Sequence, residues 1–178
     1  MSVELRSRIR EIPDYPKPGI VFRDITPLLL DSAAVSEAVR RIAAYGAGRG
    51  GIDFVVAAEA RGFILGGAVA RELSAGFVPA RKPGKLPART ISAEYILEYG
   101  VDALEMHADA LAHGARVLVH DDLLATGGTA RALCDLVQQL GGVVVGCAFL
   151  AELSFLGGRE RLAPYDVHAL VQYASEAE

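Results

Sequence analysis

Residues 117–130 constrain the fold of this chain more than any other stretch. The β-forming run 117–120 is followed by Asp121 and Asp122, by a loop of small residues with two glycines, and by an amphipathic pattern. This order predicts a buried strand, a short loop and a helix over about 128–140. Such a unit brings free backbone N–H groups and the positive end of a helix to one place, which favours phosphate binding.

The adjacent carboxylates of Asp121 and Asp122 indicate that phosphate is only part of the ligand. Carboxylates repel an anion, but they accept hydrogen bonds from vicinal hydroxyl groups. Carboxylates beside an amide-rich loop therefore indicate a sugar phosphate, most simply a ribose 5-phosphate. The residues expected to hold the phosphate are Ala125, Thr126, Gly127, Gly128 and Thr129.

Two common nucleotide-binding motifs do not match this loop, which reads ATGGT over residues 125–129. A Walker loop has Lys-Ser/Thr after its glycines, and a dinucleotide fold has the spacing G-x-G-x-x-G. ATP hydrolysis and hydride transfer are therefore disfavoured. Paired aspartates at a strand end also occur in phosphoacceptor receiver domains and in magnesium sites, an alternative that leaves the 125–129 loop without a role.

The rest of the chain alternates predicted strands and helices. Apolar runs predict strands at 54–57, 76–80, 143–150 and 167–172, and helical patterns occur at 2–12, 31–45 and 63–73. Residues 91–98 alternate β-formers with polar residues before Tyr99-Gly100, which predicts a hairpin on the rim. We expect a frayed tail over 174–178. The order predicts an α/β fold with a twisted, mostly parallel sheet, helices on both faces and ligands at the carboxyl ends of the strands.

The length of 178 residues fits a single domain over residues 1–178. The chain is 52% hydrophobic and 22% charged, with a net charge of −4 and no block of like charge. Nothing in it favours nucleic-acid or membrane-surface binding. Cys134 and Cys147 lack a CxxC or His-rich context, so we expect reduced, buried thiols. The charged first fifteen residues contain no apolar signal segment, which favours a cytoplasmic location.

Two further segments offer positive charge to an anion. Arg61 follows Glu59 and Ala60 where a loop enters a predicted helix, so its guanidinium and the nearby amides can bind an anion together. The segment RKPGKLP over 81–87 is an open, cationic loop, for which a solvated surface loop is the alternative; its cations are Arg81, Lys82 and Lys85. With the ribose-phosphate site, these cations predict an activated ribose with a polyanionic leaving group, which a nucleobase nitrogen attacks.

Five segments of the chain resemble the adenine phosphoribosyltransferases, which have the type I phosphoribosyltransferase fold. They are YPKPGIVFRD (15–24), EARGF (59–63), RKPGKLP (81–87), LEYG (97–100) and VHDDLLATGGT (119–129). The last is typical of phosphoribosyltransferases generally, and the first four together indicate adenine. The resemblance covers nearly the whole chain, and it implies a small N-terminal hood over about 1–30 and a flexible lid over about 81–104.

The resemblance implies a purine salvage enzyme that acts on 5-phospho-α-D-ribose 1-diphosphate (PRPP) and adenine and releases AMP and diphosphate. It also implies a requirement for Mg²⁺, carried by the diphosphate without a protein ligand, and a homodimer. By the same resemblance, Glu98 would accept a proton from the base, Tyr99 would close the lid, and the loop at Glu59–Ala60 would bind diphosphate, often through a cis peptide. Phe22 would stack on adenine, Val21 and Arg23 would offer backbone groups to its edge, and Leu123 would also contact it. Without the resemblance, Phe22 reads more readily as a local core residue.

Two questions stay open at this point. His120 stands where relatives commonly have an aliphatic residue, and it is either packed and hydrogen-bonded behind the sheet or tunes the neighbouring carboxylates. The other histidines, expected to be structural or on the surface, are His107, His113 and His168. A non-catalytic sensor of the activated ribose is the alternative function; it requires a DNA-binding domain and a basic patch, which we do not expect here.

Overall fold

The structure, a computed structural model, describes residues 3–97 and 100–176. Its strands are β1 (Arg10–Ile12), β2 (Phe22–Asp24), β3 (Phe54–Ala58), β4 (Gly76–Ala80), β5 (Thr90–Leu97), β6 (Gly100–His107), β7 (Arg116–Leu124), β8 (Val143–Leu153) and β9 (Val167–Tyr173). Its α-helices are α1 (Thr26–Leu29), α2 (Ser32–Ala47), α3 (Arg61–Glu72), α4 (Gly128–Gln139) and α5 (Gly158–Arg161). Short 3₁₀ turns occur at Arg6–Arg8 and Ser154–Leu156.

A five-stranded parallel sheet in the order β4-β3-β7-β8-β9 forms the centre of the fold. One face packs against α2 and α3, and the other packs against α4 and the β5–β6 hairpin. Because both faces are covered, the central strands are nearly continuous apolar runs. The predicted α/β architecture is confirmed, with β3 and β7 side by side at its middle.

The predicted helix boundaries hold to within about two residues. Helix α2 begins where the sequence places its cap: the Asp31 carboxylate accepts hydrogen bonds from the N–H groups of Ala33 (3.0 Å) and Ala34 (3.3 Å). This cap satisfies donors that the first helical turn leaves free. Helix α3 begins at Arg61 instead of Phe63, so Arg61 belongs to its first turn.

The helix predicted over residues 2–12 is wrong for the part that the structure describes. Arg6–Arg8 forms one 3₁₀ turn, and Arg10–Ile12 is a strand that pairs antiparallel with β2. Leu5 and Ile9 are buried, and their four-residue spacing produced the helical pattern. The paired residues of β2 lie ten to fourteen positions away in sequence, and this pairing overrides a weak local preference.

The hairpin predicted at the rim is confirmed, since β5 and β6 pair antiparallel from Thr90 opposite His107 onward. Part of this hairpin belongs to the core, because Tyr95, Leu104 and Met106 are buried on the α4 side of the sheet. Glu98 and Tyr99, predicted as proton acceptor and closing residue, lie outside the described residues. The mobility of this lid stays a prediction.

The two cysteines are buried thiols, as predicted, with 3.7 Å between the Sγ atoms of Cys134 on α4 and Cys147 on β8. The prediction of a frayed tail is wrong for residues 174–176, because Glu176 makes hydrogen bonds to residues 21 and 23. Among the described helices, none combines the length and apolar character needed to cross a membrane.

Candidate active site

The pairing of β3 with β7 brings the two predicted ligand loops together. Ala57 lies opposite His120 in the parallel register, so the segment after β3 and the aspartates of β7 lie at the same edge. The first turn of α3 approaches closely: a Cβ at Gly62 would lie 2.8 Å from Asp121 Oδ1. A side chain at this position would force the Asp121 carboxylate to shift, so glycine allows this close approach.

Asp122 is buried, Asp121 is partly buried, and a hydrogen bond joins the two residues. The N–H of Asp122 donates to Asp121 Oδ1 at 2.9 Å, and the Arg61 Nε lies 2.9 Å from Asp122 Oδ2. Burial raises the pKa of Asp121 well above its usual value, and the charge of Asp122 adds to this effect. Burial also raises the pKa of Asp122, but the Arg61 guanidinium opposes that shift. Asp121 therefore retains a proton more readily, and negative charge is favoured on Asp122.

The loop between β7 and α4 surrounds a cavity of 70 Å³ lined by residues 123–130. Gly127 has a left-handed φ of +81°, and a Cβ there would lie 2.7 Å from the carbonyl oxygen of Gly158. In the described structure, no side chain caps the N-terminus of α4. The first-turn residues that line this cavity therefore have N–H groups available to an anion, as the sequence predicts.

The Glu59–Ala60 peptide is cis, the isomer that the resemblance implies. The Glu59 N–H donates to the Ala80 carbonyl at 2.9 Å, and its carboxylate accepts from the Lys82 N–H and from Arg81 Nη2 at 3.3 Å. The Lys82 amide and the Arg81 guanidinium hold the pKa of Glu59 below its usual value. The Glu59 side chain therefore anchors the start of the cationic loop, and its contact with diphosphate stays a prediction.

A further carboxylate, Asp102 on β6, was missed by sequence reasoning. Lys82 Nζ forms an ion pair with Asp102 and donates to the Tyr95 hydroxyl at 2.7 Å. Neither Asp102 nor Tyr95 belongs to a recognisable motif, and the hairpin register alone places these two residues opposite each other. Three cations of the site thus have carboxylate partners; the pairs are Arg61–Asp122, Arg81–Glu59 and Lys82–Asp102.

The N-terminal hood brings Phe22 to the same edge. The guanidinium carbon of Arg61 lies 5.2 Å from the centroid of the Phe22 ring, and Tyr15 packs edge-on against that ring at 5.3 Å. The neighbouring Arg23 side chain is 2% exposed and turns into the hood. Phe22 is therefore placed beside the cation that contacts Asp122, although it lies a hundred residues from the aspartates in sequence.

His120 is packed behind the sheet, which is one of the two interpretations left open above. It is fully buried, and a Cβ at Gly66 on α3 would lie 3.4 Å from its ring. Its Nδ1 lies 2.9 Å from the Ala148 carbonyl oxygen, so Nδ1 carries the proton. Burial lowers the pKa of His120 to about 4, although the Ala148 carbonyl opposes this shift. His120 is therefore neutral at neutral pH and adds no charge beside the aspartates.

This burial predicts a pH-dependent stability that the variant His120→Phe should reduce. The ordinary pKa is 6.5 and the pKa in the fold is about 4, so the unfolded state binds a proton first as the pH falls. When the pH falls from 7 to 5, the free energy of unfolding of the wild-type protein should therefore decrease by about 2 kcal/mol more than that of the variant. Urea unfolding at both pH values measures this difference. Parallel losses in the two proteins would show that another group titrates.

Comparisons with known proteins agree with this geometry. A model of the phosphoribosyl transferase domain matches residues 29–169. The adenine phosphoribosyltransferase of Rubrobacter xylanophilus is 58% identical over 175 residues, which cover 97% of this chain and 94% of that protein. The crystal structure of adenine phosphoribosyltransferase from Thermoanaerobacter pseudethanolicus matches with a TM-score of 0.92 and 52% identity, over 95% of this chain and 98% of that one.

A third likeness is to the Saccharomyces cerevisiae adenine phosphoribosyltransferase, solved with adenine and D-2,5-dideoxy-2,5-imino-altritol 1,6-bisphosphate. Its TM-score is 0.88 at 36% identity, over 93% of this chain and 96% of that chain. The fold and these matches thus define a phosphoribosyl-transferring enzyme of the type I fold. Within that class, the chain belongs to the adenine phosphoribosyltransferase family.

Proposed function

We propose that this enzyme transfers the 5-phosphoribosyl group from PRPP to adenine and releases AMP and diphosphate. One observation carries the proposal: the Phe22 ring lies 5.2 Å from the Arg61 guanidinium, whose Nε lies 2.9 Å from Asp122 Oδ2. An aromatic ring suited to a base therefore lies two contacts from carboxylates suited to a ribose. This separation matches a nucleotide, in which the base is bonded directly to the ribose.

The phosphate and ribose of PRPP fit the end of β7. We assign the 5-phosphate to the loop Ala125–Thr129 and the ribose hydroxyls to Asp121 and Asp122. Charge-assisted hydrogen bonds contribute roughly 1.5–3 kcal/mol each, so a few of them account for micromolar affinity. The left-handed Gly127 and the uncapped start of α4, within the described residues, support this assignment.

The diphosphate of PRPP is assigned to Arg61 and to the cationic loop, with the Glu59–Ala60 peptide beneath it; the loop's cations are Arg81, Lys82 and Lys85. Arg61, Arg81 and Lys82 each have a carboxylate partner in the structure. Binding of a polyanion would therefore compete with these ion pairs. The Arg81–Glu59 and Lys82–Asp102 pairs are partly exposed, so each contributes about 0–1 kcal/mol, which a diphosphate can exceed.

Adenine is assigned to the hood, with Phe22 as the stacking ring and with backbone groups of Val21 and Arg23 at the base edge. Leu123 on β7 supplies an apolar contact from the side of the sheet. Phe22 is partly exposed and Leu123 is partly buried, so both are positioned to contact a ligand. The Saccharomyces cerevisiae relative, solved with adenine, supports this base.

The reaction breaks the bond between the ribose C1 and a diphosphate oxygen and forms a bond between C1 and adenine N9. Positive charge develops on the ribose, and the buried carboxylate of Asp122 favours it. Arg61 and the cations of the 81–85 loop stabilise the negative charge on the departing diphosphate. Glu98 accepts the proton that N9 loses.

Mg²⁺ carried by the diphosphate is part of this proposal. Over residues 3–97 and 100–176, no group of three or more His, Cys, Asp or Glu side chains is arranged to hold a metal ion. Asp122 is already paired with Arg61, so the donors fit an ion that takes its oxygen ligands from the substrate and from water. When bound, the ion would neutralise charge on the diphosphate.

The resemblance also supports a homodimer in the cytoplasm. Ile64 on α3 has 49% of its surface exposed, and Val101 on β6 has 66%, so apolar side chains are available to a second copy. The reduced state of Cys134 and Cys147 agrees with a reducing compartment. Light scattering coupled to gel filtration tests the dimer.

The activity is tested by mixing the purified protein with PRPP, adenine and Mg²⁺. AMP and diphosphate should form in equal amounts, and guanine should not replace adenine. Formation of GMP from guanine without AMP from adenine would contradict the base assignment. Absence of any nucleotide product, with PRPP binding retained, would favour the sensor alternative.

The variant Glu98→Gln should lower kcat by roughly 10²-fold and leave the KM for PRPP unchanged. The amide cannot accept the N9 proton, whereas the phosphate and ribose contacts do not involve this residue. Glu72→Gln is the matched control, because Glu72 is exposed at the far end of α3. A Glu98→Gln enzyme with wild-type kcat would remove Glu98 from the proton transfer.

A further inference from the structure

The segment after β9 contacts the hood at the residues assigned to adenine. Glu176 Oε2 accepts a hydrogen bond from the Val21 N–H at 3.1 Å, and Arg23 Nη2 donates to the Glu176 carbonyl oxygen at 3.0 Å. The partners lie more than 150 residues apart in sequence. One residue near the end of the described chain therefore binds both neighbours of Phe22.

Arg23 strengthens this contact because its guanidinium is enclosed on several sides. Its central carbon lies 4.1 Å from the centroid of the Tyr173 ring, and its Nη1 lies 2.5 Å from Glu11 Oε1. The side chain is 2% exposed, so it has little freedom to find other partners. Arg23 thus links β1, β2, the end of β9 and residue 176 in one cluster.

The hood depends on such outside contacts. Strands β1 and β2 have three residues each and form a separate two-stranded sheet. An isolated two-stranded ribbon is at best marginally stable in water. The Val21 N–H precedes β2 and lies outside that ladder, and its partner is the Glu176 carboxylate. The orientation of residues 21–23 is therefore set partly by the chain's C-terminal segment.

We propose that Glu176 is a positioning residue for the base: its carboxylate holds the backbone of Val21, and its carbonyl oxygen holds the side chain of Arg23, where adenine is received. The inference rests on the proposed function, because it takes the hood as the adenine site. Within the described residues, the hydrogen bonds of Glu176 are made to Val21 and Arg23, so it acts through the hood. Its removal should therefore affect adenine and AMP, and leave PRPP binding unchanged.

Kinetics of Glu176→Ala and Glu176→Gln test this role. Glu176→Ala should raise the KM for adenine by about five-fold, the loss expected for one hydrogen bond, with kcat and the KM for PRPP within about two-fold of wild type. The Gln variant keeps an oxygen that accepts from the Val21 N–H, so it should restore most of the adenine affinity. Glu72→Gln, the exposed control on α3, should behave as wild type.

Removal of residues 176–178 eliminates both contacts and should raise the adenine KM by about ten-fold or more. Calorimetry with AMP gives a second readout, in which the Ala variant should bind about five-fold more weakly. An unchanged adenine KM and AMP affinity in Glu176→Ala would overturn the inference. So would an equal loss for PRPP, which would indicate general damage to the fold, or a Gln variant as weak as the Ala variant. A wild-type protein that forms no AMP would overturn the proposed function separately.

Discussion

Replacing both Asp121 and Asp122 by Asn is expected to abolish measurable turnover while the protein stays folded. Two acceptors of the ribose hydroxyls are lost, with the negative charge favoured on Asp122; a hydrogen bond to a charged group contributes about 1.5–3 kcal/mol, and one to a neutral group about 0.5–1.5 kcal/mol. The affinity for PRPP should therefore fall by roughly 10²–10³-fold. Turnover falls further, because Asp122 no longer favours positive charge on the ribose.

The free energy of unfolding should not fall in this double variant. Burial raises the pKa of both carboxyls, and the like charge of Asp122 adds to the shift at Asp121. A raised pKa means that the fold stabilises the protonated forms, so carboxylate charge lowers stability as the pH rises through the folded pKa. Neutral amides avoid that cost. Urea unfolding at pH 7 should therefore give equal or higher stability than wild type.

Calorimetry with PRPP decides the outcome. Asp109→Asn is the matched control, because Asp109 is exposed in the turn after β6. The control should bind PRPP and turn over as wild type does. Unaltered PRPP binding by the double variant would contradict the hydroxyl-acceptor argument, and a large loss of stability would contradict the cost of the paired charges.

The sheet and the strand–loop–helix unit over residues 117–130 were predictable because their signals are local. A parallel strand covered on both faces is a continuous apolar run, and the strand at Phe54–Ala58 was identified from four of its five residues. The end of β7 and the loop after it contain two carboxylates and paired glycines within ten residues. Because such patterns need no knowledge of remote partners, they are visible in one sequence.

The hood was harder to predict because its structure depends on distant pairing. Strand β1 has three residues, and the contacts that stabilise it lie in β2, so the local spacing of Leu5 and Ile9 was misleading. The role of Phe22 was assigned from family resemblance, since its residue type and local context favoured a core position. In the structure, the Phe22 ring centroid lies 5.2 Å from the guanidinium carbon of Arg61, a contact that no local pattern indicates.

Several polar partners at the site have no signal in the sequence. Asp102 meets Lys82 only because the hairpin register brings it there, and Glu176 meets Val21 across the whole chain. The protonated nitrogen of His120 depends on the Ala148 carbonyl of a neighbouring strand. Each of these contacts joins residues twenty or more positions apart, beyond the reach of a local pattern.

The variant Gly158→Ala should disrupt the phosphate loop from behind. A Cβ at Gly158 would lie 2.2 Å from the Ala125 carbonyl oxygen and 3.1 Å from the Gly127 nitrogen, so the loop backbone must move. Both contacts are with backbone atoms, which cannot rotate away as a flexible side chain would. We expect a loss of about 1–3 kcal/mol in the free energy of unfolding, the usual cost of overpacking.

The affinity for ribose 5-phosphate, measured by calorimetry, should fall by at least about ten-fold in Gly158→Ala, because the N–H groups of the loop after β7 no longer point to one position. Gly67→Ala is the matched control, because a Cβ there meets no atom within 4 Å and Ala favours a helix. The control should retain phosphate binding and gain slight stability. The added Cβ forces the backbone of residues 125–127 to move. If Gly158→Ala nevertheless bound ribose 5-phosphate as tightly as the control, the phosphate would have to bind elsewhere.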